Sequence, residues 1–275
     1  MRSLISVSAA PIAGFGDKEY YDLLGTIDLM KKVFGESVVD GFELQLEPEW
    51  NRENAPLTDA DWADWKKTPK FTAAEVVELV RSASLPILSV HASRDVGSYL
   101  CSGNKRDWEK GKHVMYDALL TAEGLGAEVC VFHLWDPWKK SFDLRNVESM
   151  FLSVASQFPK VKASVENIPT HLEHCSPFML VKSFEYVTMD LRWASMYEEL
   201  DAFESVVKSI VNVHLRGSLE KNRWIMKRSA YDFYATLNKI RKDWMYSGLL
   251  TVEPEGRIDG SLFRSFVQAM RSLTT

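Results

Sequence analysis

Short apolar runs recur along the chain and alternate with stretches of helical periodicity. The runs are rich in Val, Ile, Leu and Phe, which is typical of strands that are covered on both faces in a parallel sheet. Apolar residues three and four positions apart predict helices between the runs and after the last one. The predicted strands are Leu4–Ala9, Gly41–Leu46, Ile87–Ala92, Val129–Leu134, Lys162–Asn167, Tyr186–Leu191, Val211–Leu215 and Leu249–Glu253.

The strict alternation of strands and helices predicts a parallel sheet with right-handed crossovers. Eight repeats favour closure into a single (β/α)8 TIM barrel of the α/β class, and 275 residues suit one such domain spanning residues 1–275. An open, doubly wound sheet is the alternative. It is disfavoured because no glycine-rich phosphate loop follows the first strand.

Composition excludes some partners and indicates a compartment. The formal net charge is −5 and the pI is about 5.8, a balance that does not favour nucleic-acid binding, which needs a basic face. The three cysteines form no CxxC pair, so we expect reduced thiols in a cytoplasmic protein. The amino terminus lacks the pattern of a signal peptide, and no apolar run approaches the roughly 18 residues of a membrane span.

Acidic and imidazole side chains lie at the ends of consecutive predicted strands. In a TIM barrel all these ends surround one mouth, where active sites lie. One such residue after a strand is usually structural, but six on successive strands are not independent accidents. Strand two offers Glu43 or Glu47, and the later strands offer His91, His133, Glu166, Asp190, His214 and Glu253.

This set of side chains predicts a divalent metal. Carboxylates crowded at a barrel mouth repel one another unless a cation or protons compensate their charge. A mixture of imidazole and carboxylate ligands suits transition metals better than calcium. We therefore expect a Mn, Zn, Co or Mg ion at the mouth.

The strand-end motifs resemble those of the xylose isomerase-like TIM barrel superfamily, also called AP endonuclease family 2, which includes sugar phosphate isomerases and epimerases. The resemblance spans the whole barrel. It implies that Glu166, Asp190, His214 and Glu253 hold the central metal, with Glu166 and Glu253 on opposite sides of a substrate. The motifs are Val90-His91-Ala92, Val131-Phe132-His133, Val165-Glu166-Asn167, Met189-Asp190-Leu191, Val213-His214-Leu215 and Thr251-Val252-Glu253.

Two activities compete within this resemblance. His91 and His133 match ligands of the first zinc of endonuclease IV, a site that shares the Glu166 position. The third zinc of that enzyme needs a His where this chain has Trp193, and an Asp-x-His after strand seven. The segment from Gly217 to Tyr231 contains neither Asp nor His, so abasic-site cleavage is disfavoured.

We therefore predict a metal-dependent isomerase or epimerase of a sugar or sugar-like ketose. One of Glu166 and Glu253 would take a proton from the carbon beside the carbonyl, and the other would return it. The alternatives are a binuclear metal hydrolase, a dehydratase of an inosose-like substrate and a barrel that only binds. We expect a small carbohydrate-like ligand and no membrane or nucleic-acid partner, and a homo-oligomer stays open. Candidate substrate contacts are Arg216, Trp193, Asn167 and Glu43, with Arg257 a weaker one.

Overall fold

The computed structural model describes residues 3–15, 21–36, 39–48, 50–53, 55–56, 61–221, 223–229, 231–256, 265–266 and 268–269. Arg257 lies outside these ranges. The helix predicted from Leu262, Phe266 and Met270 lies only partly within them: Phe266 is helical and buried, and the other two residues are outside. Within the described ranges, one parallel sheet contains all eight predicted strands. They are β1 (Leu4–Ser8), β2 (Gly41–Gln45), β3 (Ile87–His91), β4 (Val129–Phe132), β5 (Lys162–Glu166), β6 (Val187–Asp190), β7 (Ile210–Glu220) and β9 (Leu249–Pro254).

The sheet closes on itself. Each strand pairs with its predecessor from β1 to β6, β6 pairs with β7, β7 pairs with β9, and β9 pairs with β1. All of these pairings are parallel. The chain is thus a (β/α)8 barrel, which confirms the predicted fold class and excludes the open sheet.

Helices surround the barrel and cover the apolar outer faces of its strands. Local chemistry sets their ends: Thr72 and Glu75 form a capping box on the fourth helix, and Gly126 ends the sixth in the left-handed region. The helices are α1 (Ala9–Phe15), α2 (Leu23–Gly35), α3 (Trp62–Trp65), α4 (Ala73–Ser82), α5 (Asp95–Leu100), α6 (Lys105–Leu125), α7 (Leu144–Ala155), α8 (Pro177–Val181), α9 (Leu191–Met196) and α10 (Phe233–Asn238).

The seventh strand differs from its prediction. It runs five residues beyond Leu215 and folds back as a hairpin onto an added antiparallel strand, β8 (Arg223–Ile225). The two strands of this hairpin can pack closely at Gly217 because glycine has no Cβ. A Cβ there would lie 2.5 Å from the Trp224 indole nitrogen. The periodicity before β7 predicts an α-helix, but the segment Leu200–Ser209 is a 3₁₀ helix kinked at Val206.

The barrel interior is polar on two levels. The upper level contains the strand-end acids and imidazoles. Below them a lower level of buried hydroxyl and amide side chains lies two residues earlier on β3, β5, β6, β7 and β9, and Ser6 of β1 lies at the same level. Its hydrogen bonds include Ser6 Oγ to Thr251 Oγ1 and Ser164 Oγ to Thr188 Oγ1, both 2.7 Å. The apolar core therefore lies outside the barrel, between strands and helices, as the burial of Val7, Phe42 and Val90 illustrates.

Two observations bear on the predicted state of the cysteines and on membrane spans. All three cysteines are free thiols. Among the described residues, none of the helices combines the length and the apolar character that a bilayer crossing requires.

Candidate metal centre

The four predicted metal ligands lie on strands β5, β6, β7 and β9, and all four side chains are buried. Because successive strand residues alternate between inside and outside, each aims into the barrel mouth. His214 Nδ1 lies 3.4 Å from Glu166 Oε2 and 3.4 Å from Glu253 Oε1. His214 thus stands between the two glutamates that the sequence predicts as the acid–base pair.

Asp190 joins this group through its second oxygen. Oδ1 accepts a hydrogen bond of 3.0 Å from the Trp193 amide and caps α9, which fixes the carboxylate. Oδ2 faces Arg216 Nε at 3.5 Å. The structure therefore places Glu166 and Glu253 each in contact with His214, and Asp190 at the edge of the same cluster.

Two overlapping trios of buried donor atoms lie close enough to hold a divalent ion. One atom each of His91, Glu166 and His214, and one each of Glu43, His214 and Glu253, lie within 4.8 Å of one another. Over the described part of the chain, Glu166 Oε1, Asp190 Oδ2 and His214 Nδ1 are buried and accept or donate no hydrogen bond. An unsatisfied buried polar group costs about 1–3 kcal/mol, and a bound cation would remove that cost for all three atoms. One imidazole nitrogen with carboxylate oxygens is the ligand chemistry of zinc and manganese sites.

His91 and His133 converge on the same Glu166 oxygen. Their Nε2 atoms lie 3.1 and 3.0 Å from Glu166 Oε2, and their ring centroids are 4.7 Å apart. His91 Nδ1 is 2.9 Å from the Ala92 carbonyl, which can only accept, so Nδ1 carries a proton. His91 Nε2 therefore faces a carboxylate either as a second N–H donor or as a ligand of a cation.

Burial and close charges shift the proton affinities of the cluster. Burial opposes ionisation of Glu166, but His214 and His133 bring its pKa well below its usual range. Burial, with the charges of Glu166 and Glu253, raises the pKa of Asp190 to about 7, against the pull of Arg216. Burial disfavours the charged form of His214, yet Glu43, Glu253 and Glu166 raise its pKa well above 6.5. The cluster thus holds protons that an entering cation would displace.

Arg216 binds one of the two glutamates. Its Nε and Nη2 donate to Glu253 Oε2 at 2.9 and 2.8 Å, which leaves Oε1 facing His214. Its guanidinium also lies 5.5 Å from the Trp193 ring centroid, and that of Arg192 lies 5.0 Å from the same ring. Arg216 and Trp193, both predicted substrate contacts, therefore form one wall of the mouth together.

The other two predicted substrate contacts are fully buried. The side-chain amide of Asn167 makes two hydrogen bonds to the Asp190 main chain. Its Oδ1 accepts from the Asp190 N–H at 2.6 Å, and its Nδ2 donates to the Asp190 carbonyl at 3.2 Å. Glu43 lies below His214, with Oε2 3.3 Å from His214 Nε2. Glu47, the other candidate on that strand, is paired with Arg94 at 2.9 Å instead.

Sequence reasoning missed the lower polar level that supports these ligands. Ser89, Ser164, Thr188, Asn212 and Thr251 are buried, and each precedes a strand-end His, Glu or Asp by two residues. A two-residue period of polar side chains inside otherwise apolar strands is the signal that could have revealed it. These residues place hydrogen-bonding groups directly beneath the candidate ligands.

Comparisons of sequence find no relative, whereas comparisons of structure find many. No protein-family model matches the sequence, and neither does a curated protein. The fold is similar to a 3-keto-D-glucoside 4-epimerase from E. coli, at 15% identity over 98% of this chain and 100% of the other, with a TM-score of 0.60.

Two further structures show the range of proteins with this fold. A D-allulose 3-epimerase from Methylomonas, in complex with D-allulose, is 13% identical over 99% of this chain and 94% of its own, with a TM-score of 0.60. An AP endonuclease of family 2 from Brucella melitensis is 14% identical over 96% and 98%, with a TM-score of 0.57. At these identities the likeness is one of fold. The chain shares its TIM-barrel fold with sugar epimerases and with a family 2 AP endonuclease, the kinds of protein that its strand-end motifs resemble.

Proposed function

We propose that the protein is a divalent-metal-dependent isomerase or epimerase of a sugar or sugar-like ketose. The observation that carries the proposal is the placement of Glu166 and Glu253 on either side of His214, at 3.4 Å each. Sugar epimerases with the same fold support the substrate class. Glu166, Asp190, His214 and Glu253 would hold the ion.

Two glutamates of the chain, Glu166 and Glu253, carry out the proton transfer in this proposal. A divalent metal, when bound, supplies Lewis-acid polarisation of a carbonyl and its neighbouring hydroxyl. Either glutamate can be the base, and Glu166 is ionised at neutral pH because the neighbouring His214 and His133 lower its pKa. The base takes the proton from the carbon beside the carbonyl, and the other glutamate, present as a carboxyl, gives its own proton to the same or the neighbouring carbon.

Arg216 and Trp193 complete the reaction site in this proposal. Arg216 fixes Glu253 through two N–H donors, so that one carboxylate oxygen faces the substrate position. Trp193, half-buried at the mouth, offers an aromatic face beside that position. Asn167 contributes indirectly by holding the Asp190 backbone.

The test is exchange of carbon-bound protons in deuterated water. Purified protein loaded with Mn²⁺ or Co²⁺ is incubated with a panel of ketoses and inososes, and proton signals are followed by NMR. We expect exchange with at least one ketose, and a loss of about a hundredfold or more in Glu166→Gln and Glu253→Gln, the usual size of acid–base effects. Elimination of water rather than epimer formation would identify a dehydratase.

A matched control is Glu128→Gln, since that exposed carboxylate pairs with Lys162 on the surface, away from the mouth. It should exchange as the wild type does. If either glutamine variant at the mouth retained metal and near-normal exchange on the active substrate, the two-glutamate mechanism would be refuted, and His91 or His133 would become the candidate base.

A binuclear metal hydrolase is the second candidate, and one observation favours it. His91, His133 and Glu166 Oε2 converge within 3.1 Å, which would provide a second metal position. The assay is hydrolysis of bis(p-nitrophenyl) phosphate by metal-loaded protein. Two bound ions per chain with turnover lost in Glu166→Gln, and no ketose exchange, would favour this alternative.

A further inference from the structure

Glu43 and His214 meet across the barrel. They are 171 residues apart in sequence, and their strands β2 and β7 are not neighbours in the sheet. Glu43 Oε2 lies 3.3 Å from His214 Nε2, and both side chains are fully buried. The other ring nitrogen, Nδ1, faces Glu166 and Glu253. Each nitrogen of one imidazole therefore faces a different carboxylate environment.

Hydrogen-bond directions around Glu43 are fixed by its neighbours. Thr251 Oγ1 donates to Asn212 Oδ1 at 2.8 Å, so the Asn212 amide must direct its NH₂ group elsewhere. That group donates to Glu43 Oε2 at 3.1 Å, and Ser89 Oγ donates to the same oxygen at 2.9 Å. Glu43 Oε2 is thus held as an acceptor by two donors from the lower level.

Because Glu43 Oε2 already accepts two hydrogen bonds, it favours a hydrogen on its third neighbour, His214 Nε2. Asn212 Nδ2 also lies 3.1 Å from His214 Nε2 and could donate to it, but a bare Nε2 would then set its lone pair against the Glu43 carboxylate 3.3 Å away. The negative charge of Glu43 therefore favours an N–H on Nε2 that donates to Oε2. When His214 is neutral, this contact favours the tautomer that has its hydrogen on Nε2 and a lone pair on Nδ1. The lone pair then points between Glu166 and Glu253.

We propose that Glu43 is a positioning residue that fixes the tautomer and ring orientation of His214, so that Nδ1 is presented to the metal. The inference rests on the proposed metal-dependent function, because it gives His214 the role of ligand. Acidic partners of this kind orient ligand histidines and raise their basicity. Glu43 then acts through His214 and needs no contact with substrate.

The first measurement is metal affinity. Mn²⁺ binding is followed by titration calorimetry in the wild type, Glu43→Gln and Glu47→Gln. Glutamine keeps the shape of Glu43 but removes its charge, so we expect affinity to fall about 10- to 100-fold, as for other partners of ligand histidines. Glu47→Gln is the matched control, because its buried carboxylate on the same segment pairs with Arg94. It should bind Mn²⁺ as the wild type does.

The second measurement needs no variant. Protein labelled with ¹⁵N-histidine and loaded with diamagnetic Zn²⁺ is examined by long-range ¹H–¹⁵N NMR, and the signals of His214 are assigned among the six histidines. We expect a protonated Nε2 and a metal-bound Nδ1. A bare or metal-bound Nε2 would overturn the proposal, because Glu43 could not then accept from it.

The outcomes separate this proposal from the one it rests on. A folded Glu43→Gln variant with wild-type Mn²⁺ affinity would refute the role of Glu43 and leave the metal site standing. If Glu43→Gln fails to fold, judged by thermal unfolding, the wild-type NMR result decides. A wild-type protein that binds neither Mn²⁺ nor Zn²⁺ would refute the metal site and the role of Glu43 together.

Discussion

Lowering the pH should weaken divalent metal binding at the barrel mouth steeply between pH 8 and pH 6. A metal ligand must be deprotonated, so binding releases every proton that the metal-free site holds on its ligands. Burial raises the pKa of Asp190 to about 7, and nearby carboxylates raise that of His214 well above 6.5. Both groups are therefore partly or fully protonated in this range, and the sign is fixed: affinity rises with pH.

The magnitude follows from the fraction of Asp190 that is ionised. With a pKa of about 7, this carboxyl is about nine-tenths ionised at pH 8 and about one-tenth at pH 6. Asp190 alone then lowers the apparent association constant about tenfold over that range. His214 must also lose a proton, which steepens the fall further. Glu166, whose pKa lies well below its usual range, contributes nothing to the slope here.

The assay is titration of Mn²⁺ into metal-free protein by calorimetry at pH 6, 7 and 8. Repeating each titration in two buffers with different heats of ionisation counts the protons released. We expect between about one and two protons per ion near pH 6.5. Asp190→Asn keeps an oxygen ligand without the titration, so its affinity should depend less steeply on pH. An affinity that is constant within about twofold from pH 6 to 8, with no proton released, would refute the reasoning.

Three further outcomes follow from the structure. Arg216→Met should lower kcat/KM for ketose exchange about tenfold or more, because Glu253 loses two charge-assisted contacts. Unchanged exchange would show that Arg216 has no role in the reaction. Abasic duplex DNA should not be incised by the zinc-loaded protein, since Trp193 stands where the resemblance to endonuclease IV would require a His. Robust incision would favour the nuclease activity. Gly97→Ala should destabilise the fold by about 1–3 kcal/mol in chemical unfolding, because its Cβ would lie 2.3 Å from a main-chain oxygen of the loop after β4. Gly35→Ala meets no atom within 4 Å and should not destabilise it.

The sequence predicted the barrel and the strand-end residues for the same reason. Parallel strands buried on both faces are short apolar runs, and eight of them alternating with helices leave few topologies. When the sheet closes into a barrel, the carboxyl ends of all its strands surround one mouth. The sequence alone could therefore place Glu166, Asp190, His214 and Glu253 at one site. The boundaries of β7 were less accurate, because its extension pairs with β8 in a hairpin that lies outside the barrel repeat.

The finer arrangement of the site was beyond the sequence, because it depends on contacts across the barrel. Strand register and side-chain direction decide that Glu43 reaches His214, and no local pattern relates two residues 171 positions apart. The same holds for the pairing of Arg216 with Glu253, and for the burial of Asn167 against the Asp190 backbone. Local periodicity determined which residues enter the barrel mouth, and only tertiary packing decided which of them touch, because partners on different strands are set by closure and shear of the whole sheet.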